Sequence, residues 1–159
     1  MIVVPSVFAH DGTWDPCNIT SWDPVLFGHD DEYDWKGWAT LTVTNSMEEQ
    51  WGDFHFEIYE PMTYSVIFPT DVTMKMLDGL GNEYTGYTYA HDGNKKLDFF
   101  FYGSPVNPGE TVTFEVYTNN EADNHAWFGL IVYPTPIPEP ATIALLGLGA
   151  IAAIRKRKA

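Results

Sequence analysis

The sequence predicts an all-β protein: a single antiparallel β-sandwich, Ig-like or jelly-roll in layout, followed by a C-terminal hydrophobic helix. Three observations carry this. Apolar and polar residues alternate with period two in several short runs, turn-forming residues separate those runs, and no window of twelve residues before Pro138 shows helical periodicity.

The clearest strand is 39–44, where Ala39, Leu41 and Val43 alternate with Thr40, Thr42 and Thr44. Next comes 54–59, with Phe54, Phe56 and Ile58 on one face and His55, Glu57 and Tyr59 on the other. Segments 64–68, 72–77, 83–90 and 96–102 follow as further strands, then 111–117, where Val112, Phe114 and Val116 alternate with threonine, glutamate and tyrosine, and finally 126–133. β-Branched and aromatic side chains suit a pleated, half-buried surface. Turns are expected at Asp78-Gly79, Gly81-Asn82, Asp92-Gly93-Asn94, Asn107-Pro108-Gly109 and Asn119-Asn120. Residues 12–38, rich in Asp, Trp and Pro, are the least regular and read as long loops at one end of the sandwich.

Charge divides the chain. Its 159 residues carry 8 basic and 22 acidic side chains, a net charge of -14. Four of the basic residues are Arg155, Lys156, Arg157 and Lys158 at the extreme C-terminus; residues 10–134 hold four lysines against 21 acids, a net -17. Such a body is repelled by nucleic acid and by anionic membrane surfaces, so no nucleic-acid partner is expected. The basic tail is drawn to anionic lipid.

Residues 141–154, ATIALLGLGAIAAI, contain no charge and one hydroxyl. As a helix the run is roughly 21 Å long, against a hydrocarbon core of roughly 30 Å. Pro140 and the snorkelling stems of Arg155 and Lys156 extend its reach, so a transmembrane helix is expected over 140–154. A buried core helix is the alternative, but this run is apolar all round, closes the sequence, and leads straight into Arg-Lys-Arg-Lys, the positive-inside pattern. The tail is then cytoplasmic and the acidic body lies on the other side.

Immediately upstream stands Pro138-Glu139-Pro140, whose two prolines exclude helix and sheet interior and favour an extended backbone. The ordered trio of Pro-Glu-Pro, hydrophobic helix and terminal Arg/Lys cluster resembles the PEP-CTERM protein-sorting domain over residues 135–159. That resemblance implies handling by an exosortase, a membrane transpeptidase-like enzyme of Gram-negative bacteria, many of which make exopolysaccharide. Pro138, Glu139 and Pro140 are then the recognition motif and Arg155, Lys156, Arg157 and Lys158 the cytoplasmic stub. It further implies a precursor anchored in the inner membrane and sorted to the cell surface or beyond.

The N-terminus is consistent with export. Residues 1–9 are apolar and end in Val7-Phe8-Ala9, at the spacing that a signal peptidase reads, but no positive charge precedes them. A truncated signal peptide is favoured; a first strand is the alternative. The expected organisation is therefore 1–9 as signal remnant, 10–134 as sandwich and 135–159 as sorting signal. A lone Cys17 excludes an internal disulfide and reads as a small, partly buried side chain.

Signs of chemistry are sparse. There is no Gly-x-Ser-x-Gly, no phosphate-binding glycine loop and no close pair of metal-binding histidines. His55, on the polar face of its strand, reads as solvated. No enzyme activity and no cofactor are expected. Asp30, Asp31, Glu32 and Asp34 offer the oxygen ligands that Ca²⁺ prefers but lack the EF-hand spacing, so a solvated acidic loop is the simpler reading. Trp14, Trp22 and Trp35 lie in the irregular acidic stretch; they either plug the end of the core or are exposed to stack on sugar faces. The leading expectation is a non-enzymatic surface or matrix protein. The alternative is a carbohydrate-binding module associated with exopolysaccharide, and an enzyme built on loop carboxylates is a distant third.

Overall fold

A computed structural model describes residues 2–4, 12–29, 36–60, 66–120 and 128–137. Twelve strands form among them: β1 (Ile2–Val4), β2 (Gly12–Thr13), β3 (Cys17–Ile19), β4 (Val25–His29), β5 (Lys36–Asn45), β6 (Trp51–Tyr59), β7 (Val66–Ile67), β8 (Lys75–Asp78), β9 (Thr88–Asp92), β10 (Lys96–Phe100), β11 (Thr111–Asn120) and β12 (Phe128–Pro136). No helix occurs among the described residues. The helix expected over 140–154 lies outside them.

The strands build two sheets. One has the order β1-β4-β12-β6-β10-β9; the other runs β2-β5-β11-β7, with β3 also on β5 and β8 also on β11. The sheets are mixed rather than purely antiparallel: β1 pairs parallel with β4, and β2 and β3 pair parallel with β5. This corrects the antiparallel expectation, and the parallel contacts all come from the N-terminal stretch. Residues 12–38 are also not loops alone, since they hold β2, β3, β4 and the start of β5. Two- and three-residue strands bounded by Pro16 and Pro24 are too short to show a period, and only their partner strands define them.

The alternation of β5, β6 and β11 appears as expected. Leu41, Val43, Phe54, Phe56, Val112, Phe114 and Val116 are buried, and their intervening neighbours point outward. The sheets meet face to face through aromatic rings. Phe114 of β11 stacks on Phe54 of β6 at 4.6 Å and meets Phe56 and Phe99 edge-on at 5.3 and 5.1 Å. On the outside of the second sheet, threonines bond across the β5–β11 ladder, Thr42 to Thr113 at 2.9 Å and Thr44 to Thr111 at 2.8 Å.

Segment 83–90 does not form one strand. Glu83 makes an isolated bridge to Leu77, the chain turns at Gly86 with φ of 82°, and β9 begins only at Thr88. Segment 72–77 becomes a strand only from Lys75. At 107–110, Glu110 N–H donates to Asn107 O at 3.0 Å and Gly109 has φ of 83°. That is the geometry Pro followed by Gly favours, a type II turn.

Candidate functional site

The last strand, β12, sits between β4 and β6 in the middle of its sheet. Its register against β6 places Tyr133 opposite His55, Thr135 opposite Asp53 and Pro136 opposite Trp51, with an irregularity between Thr135 and Pro136. On the other side of β6, Asp98 of β10 lies opposite His55. The outer face therefore gathers Asp53, His55, Asp98, Tyr133 and Thr135 from three strands.

Asp53 is the centre of this cluster. It is only 4% exposed. Its Oδ1 accepts from the Thr135 N–H at 3.1 Å and from the Thr135 hydroxyl, and lies 3.2 Å from His55 Nε2. Its Oδ2 accepts from the Tyr102 hydroxyl at 2.5 Å. His55 Nδ1 sits 2.6 Å from Asp98 Oδ1, and the imidazole stacks on Tyr133 at 4.8 Å. Burial alone raises the Asp53 carboxyl, but the hydrogen bonds from His55, Thr135 and Tyr102 and the nearby imidazolium outweigh it, so its pKa falls. Burial likewise disfavours the charged His55, yet its two carboxylate partners raise its pKa. The bond to Asp53, aided by burial, holds the Tyr102 phenol protonated, with its pKa pushed up to about 12.

Close packing completes the arrangement. A Cβ on Gly52 would lie 2.6 Å from the Tyr102 ring and 3.1 Å from Ile137 Cγ1. Only glycine lets both side chains cross β6 there. The cluster's chemistry is that of a clamp. Both ring nitrogens of His55 are engaged by carboxylates, and the Thr135 hydroxyl is bonded to Asp53 rather than to the imidazole. The reading of His55 as solvated is corrected: it is half-buried between two acids.

Trp14 is 1% exposed, packs edge-on against Phe27 and donates its Nε1–H to Gly28 O at 3.2 Å. That corrects its candidacy for stacking on a sugar, because the buried ring offers no open surface to a ligand. Trp22 is half-buried against the core. Trp35, the Asp30, Asp31, Glu32 and Asp34 cluster, Pro138, Glu139, Pro140 and Arg155, Lys156, Arg157 and Lys158 lie outside the described residues. Among the described residues no three His, Cys, Asp or Glu side chains are grouped as metal ligands. Nor is any helix there long and apolar enough to cross a membrane. An aromatic pair stands on the outer face of the second sheet, where Trp38 meets Tyr117 edge-on at 5.4 Å. Its signal lay in the alternation, which puts both residues on the threonine face of their strands.

Compared with known families, residues 136–158 match the PEP-CTERM protein-sorting motif. No curated protein and no solved structure matches the chain. The match begins at Pro136, the final residue of β12, so the sorting segment is continuous with the clamped strand. The motif implies an exported precursor, membrane-anchored and processed by an exosortase. The chain thus carries a PEP-CTERM protein-sorting motif at residues 136–158.

Proposed function

We propose that this is a non-enzymatic protein of the cell surface or extracellular matrix, in which the sandwich is the cargo and the C-terminal segment its address. The observation that carries the reading is the sorting motif at 136–158, placed directly after the last strand. Pro138, Glu139 and Pro140 are the recognition element, 140–154 the inner-membrane anchor, and Arg155, Lys156, Arg157 and Lys158 the stub that stays inside. Fractionation of the native host with mass spectrometry of the mature C-terminus is the test. The released or surface form is expected to lack Arg155 to Ala159, and a mature form that retains them contradicts processing.

A second reading, binding of secreted polysaccharide, is favoured by the Trp38–Tyr117 pair beside the threonine rows of β5 and β11. Aromatic faces flanked by hydroxyls suit a neutral sugar chain, and the acidic body disfavours an anionic one. Tryptophan fluorescence should shift on titration with a neutral soluble polysaccharide, with the affinity roughly tenfold weaker in Trp38→Ala. No shift with any glycan argues against this reading. Calcium binding by Asp30, Asp31, Glu32 and Asp34 rests on carboxylate chemistry alone. A melting temperature that chelator leaves unchanged disposes of it.

A further inference from the structure

We propose that the Asp53 clamp on Thr135 controls the access of the sorting motif to its processing enzyme, so that the end of β12 must peel from the sheet before the motif is engaged. The inference rests on the sorting reading and adds a positioning role for residues of the folded domain.

Spacing is the first ground. Pro136 is still paired with Trp51, Ile137 packs over Gly52, and the next residue is Pro138. One residue separates the sheet from the motif, which is about 3.5 Å of extended chain. A sheet strand lies about 4.8 Å from its neighbour, and stacked sheets lie about 10 Å apart. The globule therefore stands directly against whatever grips the motif. An enzyme that reads an extended segment bonds to its main chain over several residues. Upstream of Pro138 those groups are already committed, because the Thr135 N–H bonds Asp53 and β12 is laddered to β6.

The second ground is the way this strand end is held. The ladder weakens here by itself: the register shifts between Thr135 and Pro136, and proline brings no N–H. Side chains supply the remaining hold. Asp53 takes both the N–H and the hydroxyl of Thr135, while His55 and Tyr102 fix the carboxylate from either side. Charge-assisted bonds of this kind are stronger than neutral ones, and a buried acceptor leaves few competing waters. Fraying of the terminal strand, ordinarily among the least costly openings of a domain, is opposed at one carboxylate.

Pulse-chase of the full chain in a host that holds the exosortase, with intact mass to separate the defined product from degradation, tests this. Thr135→Val removes the hydroxyl donor and should shorten the precursor half-life roughly three- to tenfold. Thr135→Ser, which restores the donor, should return it to the parental value. A Gly/Ser insertion of about six residues between Ile137 and Pro138, roughly 13 Å end to end, leaves the clamp intact and should speed maturation to a similar degree. It should also abolish the difference between threonine and valine at 135. Maturation of Thr135→Val or of the insertion at the parental rate overturns the proposal. Replacing Pro138, Glu139 and Pro140 by alanine should leave the precursor unprocessed. Processing of that variant overturns the sorting reading itself, an outcome separate from failure of the clamp alone.

Discussion

Both ring nitrogens of His55 face carboxylate oxygens, Nε2 toward Asp53 and Nδ1 toward Asp98, and the imidazolium satisfies both. Its pKa is raised from 6.5, so its stabilising contribution is fully present below that value and is lost as pH rises through the higher folded one. Asp53 is lowered from 3.8; its contribution is present above that value and is lost as pH falls through the folded one. The clamp is tightest between the two. The melting temperature should therefore fall as pH rises above 6.5 and through the higher folded value, by roughly 4 °C for each kcal/mol lost. His55→Gln should remove most of that fall. An undiminished fall in the variant would assign it to another group. Alternation placed His55 on an outer face, but it could not reveal Asp98, which lies 43 residues away and is brought opposite only by the β6–β10 register.

Among the elements, β5, β11 and the 54–59 part of β6 were legible because each alternates between a buried and a more exposed face, which writes a period of two into the sequence. Segment 83–90 misled because its tyrosines suggest a strand, while Gly86 at φ of 82° breaks it into a bridge, a turn and the short β9. The aromatic contacts between the sheets were not legible at all. Phe114 meets Phe54, Phe56 and Phe99 because β11 of one sheet crosses β6 and β10 of the other. Phe54→Ala should cost about 3–5 kcal/mol, read as a lower denaturant midpoint at unchanged slope. A loss under about 1 kcal/mol would mean that the two layers are not held together at this ring stack.

In the whole molecule, an acidic body and a basic terminus carry opposite charge. The -17 over residues 10–134 disfavours contact with anionic lipid, whereas the four cations at 155–158 favour it, as the proposed sorting route requires. The clamped strand leads straight into the sorting motif, since the motif match begins on the last residue of β12. Mass spectrometry of the mature C-terminus belongs to this scale, because it reports whether the two parts are separated in the finished protein.

The address was legible in the amino-acid sequence alone. Its parts are contiguous, and each acts through composition: prolines that bar regular structure, an uncharged run, and a cluster of cations. The all-β class was legible for a similar reason, since burial on one face repeats locally along each strand. Tertiary structure decided the rest. It set which strands pair, made the N-terminal contacts parallel, buried Trp14, and drew His55, Tyr102 and Thr135 around the Asp53 carboxylate, with Asp98 on the far side of His55. Those relations depend on register between segments distant along the chain, and register is set by packing of the shared core, which no local period records.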